Sequence, residues 1–251
     1  MPGRVYAVAN QKGGVGKTTT AVNLAACLAQ AGERALVIDL DPQANASSGL
    51  GVRANGTSSY DLLDGAPLGE LTQPTRWPNL FVVPAKPDLA GAVVELSRRD
   101  DGERFLAESL GGAADGFSFV FLDCPPSLGP LTVNALAAAD RVLVPVQAEY
   151  YALEGLTQLL RSVEMVRVRL NPRLALAGVL LTMVDRRTRL AADVEAEVRR
   201  HLGNLVFATS VPRSVRLAEA PSHGLPAIAY DRYSAGSEAY WKVAMELVER
   251  A

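Results

Sequence analysis

The feature that most constrains this chain is a glycine-rich run near its start, Asn10-Gln11-Lys12-Gly13-Gly14-Val15-Gly16-Lys17-Thr18-Thr19. It follows an apolar run at 5–9 and precedes a segment, 18–31, whose apolar residues are spaced as in a helix. Between a strand and a helix, glycines let backbone N–H groups turn inward around phosphate oxygens, and the helix N-terminus adds a favourable dipole. The run therefore predicts a phosphate-binding loop, with Lys17 on the β- and γ-phosphates and the Thr18 hydroxyl on Mg²⁺.

Short apolar runs and helical patterns alternate along the rest of the chain. Further runs typical of buried strands lie at 35–40, 81–83, 117–122, 142–146 and 176–181. Helical patterns lie at 153–170, 191–202 and 237–250. This alternation predicts an α/β fold with a mostly parallel twisted sheet and helices on both faces. Together with the phosphate loop, it predicts a P-loop NTPase. Since the sequence shows no internal repeat and no linker, we expect one domain over 1–251.

Aspartates stand at the ends of two predicted strands. Asp39 and Asp41 lie at the end of the run 35–40, and Asp123 follows the apolar residues of 117–122. Phosphoryl transfer depends on positioning and charge neutralisation more than on a strong base, so carboxylates are suitable partners for a phosphate loop. Asp123 has the form of a Walker B aspartate that holds Mg²⁺ through water. Alternatively, Asp39 and Asp41 only cap the turn that follows their strand.

The phosphate loop departs from the ordinary pattern at one position. Gln11 stands where the first glycine would fall, and Lys12 follows it at once. The run resembles the deviant Walker A motif, KGGxGK[ST], of the ParA/MinD family of ATPases. This resemblance implies an ATP-dependent sandwich homodimer in which Lys12 crosses the interface to the phosphates of the partner's nucleotide. It also implies that Asp41 orients and polarises the attacking water, and that Asp39 supports the Mg²⁺ shell.

Three further segments, 45–51, 145–155 and 211–222, resemble the chromosomal branch of this family, the Soj-type ParA proteins. The resemblance implies an ATPase for chromosome or plasmid partition, with ATP and Mg²⁺ as cofactors. It also implies that a ParB-type centromere-binding protein stimulates hydrolysis. The residues expected on the nucleotide are Lys12, Gly13, Gly14, Val15, Gly16, Lys17, Thr18 and Thr19 on the phosphates, and Pro212, Arg213 and Ser214 on the base.

The net charge of -2 hides an uneven distribution. The segment 161–216 contains 11 arginines against 5 acidic residues, a local charge of +6. Non-specific binding to DNA phosphates depends on such local basic density rather than on net charge. By the family resemblance, Arg187 and Arg216 contact double-stranded DNA without sequence preference. Neighbouring arginines that would widen this surface are Arg186, Arg189 and Arg213.

The two cysteines and two histidines point to no metal chemistry. Cys27 and Cys124 lie far apart in apolar segments, and His201 and His223 are not at a spacing that builds a zinc site with them. The first residues lack the apolar core of a secretory signal, and the longest apolar-rich run, 174–184, is too short to span a bilayer. We therefore expect a cytoplasmic protein that associates with the nucleoid and not with the membrane.

Three other functions are open to a chain with this phosphate loop. A MinD-like membrane ATPase would end in a basic amphipathic helix, whereas 239–251 has no basic surplus. A metabolic ATP-dependent synthetase on the same fold would need a polar substrate pocket, for which the sequence offers no clear candidate. A nucleotide-gated switch without appreciable hydrolysis is disfavoured by Asp41.

Overall fold

The apolar runs of the sequence become the strands of one sheet at the centre of the molecule. The computed structural model describes residues 3–149, 152–185 and 187–250. The strands are β1 (Arg4–Val8), β2 (Ala35–Asp39), β3 (Gln73–Pro74), β4 (Leu80–Val83), β5 (Phe119–Asp123), β6 (Arg141–Gln147) and β7 (Ala175–Thr182). Within the described ranges their order is β3-β4-β2-β5-β1-β6-β7, and every pairing is parallel except β3 with β4.

Helices connect these strands. They are α1 (Lys17–Gln30), α2 (Asn45–Gly49), α3 (Ser59–Leu63), α4 (Leu68–Leu71), α5 (Leu89–Leu96), α6 (Phe105–Leu110), α7 (Pro130–Ala138), α8 (Ala152–Arg169), α9 (Arg189–Leu202), α10 (Val215–Glu219), α11 (Ala227–Tyr230) and α12 (Ala235–Glu249). Short 3-10 segments lie at Ala113–Gly116, Gly203–Leu205 and Ala220–His223. The helices predicted at 18–31, 153–170, 191–202 and 237–250 are confirmed to within a few residues.

Each face of the sheet carries its own apolar cluster, because successive side chains of a strand point to opposite faces. In β1, Val5 and Ala7 join the cluster formed with α5 to α9, whereas Tyr6 and Val8 join the cluster formed with α1 and α12. Tyr6 stacks on Phe121 of β5 with ring centroids 5.5 Å apart. The predicted α/β fold with helices on both faces is therefore confirmed.

The C-terminal helix α12 is part of this core. Tyr240, Val243 and Leu247, which share one face in the sequence pattern, are at most 1% exposed. The Tyr240 hydroxyl lies 3.0 Å from the Thr20 hydroxyl of α1, so the two helices are hydrogen-bonded as well as packed. Among the described residues, no helix combines the length and the apolar character that crossing a membrane requires.

The sheet brings the predicted site segments to one edge. Because β1, β2 and β5 are parallel neighbours, their carboxyl ends lie side by side, with Val8 and Asp39 each in register with Asp123. We call this region the carboxyl edge: the loop 9–16 after β1, the segment 39–47 after β2 and the residues 123–127 after β5. In open α/β sheets, ligands bind outside the carboxyl ends of the strands.

Candidate functional site

The loop between β1 and α1 has the backbone shape that anion binding requires. Gly14 and Gly16 have φ of 74° and 89°, in the left-handed region that favours glycine. Gly16 precedes α1 without a side-chain cap, so the first N–H groups of the helix remain for another acceptor. Below the loop, the Thr182 hydroxyl donates to the Val15 carbonyl oxygen at 2.8 Å and ties it to β7. The loop is therefore held in place with its N–H groups available to phosphate.

The two lysines of the loop have different surroundings. Lys17 is 7% exposed, and its Nζ donates to the Lys12 carbonyl oxygen at 3.1 Å. Burial lowers the pKa of Lys17, and the nearby carboxylates of Asp123 and Asp41 act in the opposite direction. The Lys12 side chain, by contrast, is half exposed, and its Nζ lies 2.5 Å from Oε2 of Glu149. Lys17 thus lies inside the loop, whereas Lys12 extends away from it.

Asp39 is fully buried and both of its carboxylate oxygens accept hydrogen bonds. Oδ1 accepts from the Asp41 N–H at 3.1 Å, and Oδ2 accepts from the Ser47 N–H at 2.8 Å and the Ser47 hydroxyl at 2.6 Å. Burial raises the pKa of Asp39 to about 6, although the bonds from Ser47 lower it. Asp41 is 8% exposed, and its Oδ1 accepts from the Gln43 N–H at 2.9 Å. Asp39 thus holds the backbone of Asp41 in place.

Asp123 is the buried carboxylate that lacks partners. It is fully buried, and within the described part of the chain neither of its carboxylate oxygens has a hydrogen-bond partner. Burial raises its pKa well above the usual value and the nearby Asp39 adds to this. The Thr18 hydroxyl, which lies close without a hydrogen bond of good geometry, and the charge of Lys17 lower the pKa. A buried carboxylate without partners is costly unless a cation or donor joins it. The oxygens of Asp123, Thr18 and Asp39 form the kind of donor set that Mg²⁺ prefers, so the residues fit this ion.

A cavity of about 230 Å³ opens beside the phosphate loop. Its wall includes Gly16, Thr19 and Met183, together with the three residues predicted to contact the base, Pro212, Arg213 and Ser214. A parallel bridge between Val184 and Pro212 fixes this segment against the end of β7. Met183 has a φ of 52°, which is unusual for a residue other than glycine and has no signal in the sequence. The structure therefore brings the predicted base-side residues to the phosphate loop.

Of the predicted DNA-contact arginines that the structure describes, Arg187, Arg189 and Arg216 lie at the surface, each beside a carboxylate. Arg187 bonds Asp185 through Nε at 2.8 Å and Nη2 at 2.7 Å, and its side chain is 86% exposed. The hydrogen bonds from Arg187 lower the pKa of Asp185 to about 2, and Arg213 contributes to this shift. The Arg189 side chain is 95% exposed, with Nε 3.9 Å from Asp193.

Arg216 is held on two sides. Its Nη1 lies 2.9 Å from Glu219 and its Nε lies 3.3 Å from Asp231, while its guanidinium lies over the ring of Tyr230. We call Arg187, Arg189, Arg213 and Arg216 the arginine surface; Arg186 lies outside the described residues. Because Arg213 also lines the cavity beside the phosphate loop, the arginine surface adjoins the carboxyl edge.

Sequence reasoning missed two residues of the site. Ser47 lies in the segment 45–51 and Glu149 in the segment 145–155, both singled out only for their resemblance to known proteins. Their partners, Asp39 and Lys12, are 8 and 137 residues away, and no periodicity connects such positions.

Comparison with known proteins identifies the family of the chain. The family model described as an AAA domain matches residues 3–176. The chromosome partitioning protein ParA of Myxococcus xanthus is 52% identical over 251 residues, covering 99% of this chain and 89% of the relative. The chromosome-partitioning ATPase Soj of Thermus thermophilus is 55% identical over 247 residues, covering 98% and 96%. A solved structure of cobyrinic acid a,c-diamide synthase from Mycobacterium smegmatis with bound ADP and magnesium has a TM-score of 0.85 at 37% identity, covering 98% of this chain and 94% of that one.

The fold and the site define an ATP-binding protein of the P-loop class, with the nucleotide loop at the carboxyl edge of a mostly parallel sheet. About half of all positions are identical to the two partition proteins over nearly the full chain. The chain belongs to the ParA/Soj family of chromosome-partitioning ATPases, and the predicted family and ATPase activity are confirmed.

Proposed function

We propose that this ATPase works as a nucleotide-dependent homodimer that binds double-stranded DNA without sequence preference and so associates with the nucleoid. The observation that carries the proposal is the difference between Lys17 and Lys12. Lys17 is buried within its own loop, whereas Lys12 is half exposed and extends outward. A cation in that position is available to the nucleotide of a second subunit.

Nucleotide binding uses the loop and the cavity beside it. The N–H groups of 13–19 would surround the phosphates, and Lys17 would pair with the β- and γ-phosphates. On binding, Lys17 exchanges the Lys12 carbonyl oxygen for a phosphate oxygen, which is a stronger, charge-assisted partner. Pro212, Arg213 and Ser214 would contact the base, since they line the cavity next to Gly16.

Mg²⁺ would be held by the Thr18 hydroxyl, with Asp123 and Asp39 supporting it, Asp123 through water. The unpartnered oxygens of Asp123 support this assignment. When bound, the ion would neutralise charge on the phosphates.

Hydrolysis and dimerisation would depend on Asp41 and Lys12. Asp41 would orient the attacking water, and the bond from the Gln43 N–H to its Oδ1 fixes the direction of the carboxylate. Lys12 of each subunit would leave Glu149 and reach the phosphates of the other subunit's nucleotide. ATP then shifts the population toward the dimer, and hydrolysis reverses the shift.

The arginine surface would contact the DNA. In the dimer the number of arginines on one face doubles, and each arginine exchanges its carboxylate partner for a DNA phosphate. A ParB-type centromere-binding protein would stimulate hydrolysis, open the dimer and release the DNA.

The similarity to cobyrinic acid a,c-diamide synthase favours a second candidate, an ATP-dependent metabolic synthetase. One experiment separates the two: ATP turnover and DNA retention are measured with ATP, with ADP and without nucleotide, in the presence of either DNA or cobyrinic acid with ammonia as the nitrogen donor of the amides. Partition predicts that DNA is retained only with ATP and that cobyrinic acid has no effect. Turnover that depends on cobyrinic acid, without DNA retention, would establish the synthetase instead.

A further inference from the structure

We propose that Ser47 is a positioning residue for ATP hydrolysis, which acts by fixing Asp39 and, through Asp39, the backbone of Asp41. The inference rests on the proposed role of Asp41 in orienting water. Ser47 is 2% exposed and lies in the five-residue helix α2 after β2.

The hydroxyl of Ser47 has a single possible orientation. It lies 2.6 Å from Asp39 Oδ2 and accepts the Ala85 N–H at 3.0 Å. Because a hydroxyl has one proton and the Ala85 N–H must donate, the Ser47 proton goes to Asp39. The hydroxyl thus joins Asp39, at the end of β2, to the segment that follows β4.

Asp39 and Ser47 also replace the missing cap of α2. The residue before the helix, Ala44, has a φ of 53° and offers no side-chain acceptor to the first turn. Asp39 Oδ2 instead accepts the Ser47 N–H at 2.8 Å, which satisfies one of the free N–H groups at the helix start. The two ends of the segment 39–47 are therefore joined, because the N–H and the hydroxyl of Ser47 both donate to the same oxygen of Asp39.

The other carboxylate oxygen of Asp39 connects Ser47 to Asp41, the residue that would orient the attacking water. Oδ1 accepts the Asp41 N–H at 3.1 Å, so a rotation of the Asp39 carboxylate displaces the backbone of Asp41. Without the Ser47 hydroxyl, one restraint on that rotation disappears and the buried Ala85 N–H loses its acceptor. Neither change touches the phosphate loop. Because Asp39 also supports the Mg²⁺ shell in the proposed function, ATP binding and hydrolysis are compared at saturating Mg²⁺, where the hydrolysis rate should fall while nucleotide binding remains.

The test is a series of substitutions at one position. Ser47→Ala removes the hydroxyl, Ser47→Cys keeps the volume with a weaker donor, and Ser47→Thr keeps the hydroxyl. The matched control is Ser48→Ala, since Ser48 lies on the same helix and its hydroxyl reaches only the Asn45 carbonyl oxygen, at 3.3 Å. For each variant the single-turnover hydrolysis rate, the Kd for ATP and the Tm are measured.

We expect Ser47→Ala and Ser47→Cys to lower the hydrolysis rate about tenfold. A displacement of about 1 Å can cost about a hundredfold, and the loss of one of several restraints should displace Asp41 by less than that. The Kd for ATP should stay within about twofold, and Ser47→Thr and Ser48→Ala should hydrolyse ATP at near the wild-type rate. An unchanged rate per bound ATP in Ser47→Ala and Ser47→Cys would overturn the inference, whether or not Tm falls. A rate and a Kd that worsen together would also overturn it.

Asp41→Ala in the same assay separates this inference from the proposed function. If Asp41→Ala abolishes hydrolysis and Ser47→Ala does not reduce it, only the role of Ser47 is wrong. If Asp41→Ala hydrolyses ATP normally, the proposed role of Asp41 is wrong, and the inference about Ser47 fails with it.

Discussion

The carboxyl edge and the arginine surface both depend on charged side chains, but these side chains are buried at the carboxyl edge and exposed at the arginine surface. At the carboxyl edge, Asp39 and Asp123 are fully buried, and Lys17, which begins α1 directly after the loop 9–16, is 7% exposed. At the arginine surface, the side chains of Arg187 and Arg189 are 86% and 95% exposed. Buried charges are costly unless they are paired or bind an ion, whereas exposed ion pairs contribute little and are screened by salt.

Because of this difference, substitutions in the two regions should have different effects on function. A buried group with several fixed partners is positioned for one ligand geometry, so its loss should change activity by orders of magnitude. An exposed arginine beside a carboxylate can exchange that partner for a DNA phosphate at small cost. Its contribution should be graded, additive with its neighbours and sensitive to salt. The substitutions below test this division, beginning with the largest expected effect.

Asp41→Ala should reduce ATP hydrolysis at least about a hundredfold, because the attacking water loses the group that orients it. ATP binding should persist, so the variant should form a stable ATP dimer that stays on DNA. Phosphate release and DNA retention measure the two effects. If the variant fails to dimerise with ATP, the assignment of Asp41 to hydrolysis alone is wrong.

Lys12→Ala should leave ATP binding largely intact and reduce the ATP-dependent dimer to a minor species. The reason is that Lys12 extends outward to Glu149 rather than into its own loop. Light scattering with ATP gives the molar mass, and Lys242→Ala, at an exposed position on α12, is the matched control. A normal dimer in Lys12→Ala would contradict the cross-subunit role.

Arg187→Glu combined with Arg216→Glu should weaken DNA binding about tenfold or more and leave ATP-dependent dimerisation unchanged. A dimer would lose four phosphate contacts, so the slope of log K against log salt should fall by roughly four. The control, Arg98→Glu with Arg104→Glu, makes the same charge change outside the arginine-rich stretch. Equal losses in both double variants would show that net charge matters and that the arginine surface is not the contact site.

Asp185→Asn should have the smallest effect, a roughly two- to fivefold tighter binding to DNA, because Arg187 loses its competing partner. The hydrogen bonds from Arg187 hold the pKa of Asp185 at about 2. The carboxylate is therefore ionised at any pH well above that value, and the pairing is lost only as the pH falls through it. The ratio between the DNA affinity of Asp185→Asn and that of the wild type should accordingly be constant between about pH 5 and 8. Asp64→Asn is the matched control, because Asp64 is a surface carboxylate paired with Arg99 outside the arginine surface. Weaker DNA binding by Asp185→Asn than by Asp64→Asn would mean that Asp185 orients Arg187 for DNA.

The sequence predicts the strands and the phosphate loop because both depend on local signals. Buried parallel strands are short apolar runs, and Gly14 and Gly16 occupy positions that require a positive φ. The neighbouring positions of Asp39 and Asp123 follow from the sheet order, which the alternation of elements implies only in outline. The two-residue strand β3 and the short helix α2 have no periodic pattern that could reveal them.

Two of the ion pairs could not be predicted because their partners lie far apart in the sequence. Arg216 contacts Asp231, which lies outside the stretch whose local charge is +6, and Lys12 contacts Glu149. Counting charges along the sequence therefore overstates the positive charge that the arginine surface presents. The role of Ser47 was missed for the same reason, since its partner Ala85 belongs to another strand connection.

The central claim is that the arginine surface binds DNA only when nucleotide at the carboxyl edge has brought two subunits together. The most direct test is sedimentation velocity of Asp41→Ala with labelled double-stranded DNA, with ATP or ADP, at several salt concentrations. The account predicts DNA-bound species with an even number of subunits in ATP, dissociating steeply with salt, and free monomers in ADP. Equally tight DNA binding in ADP, or binding of single subunits in ATP, would contradict it.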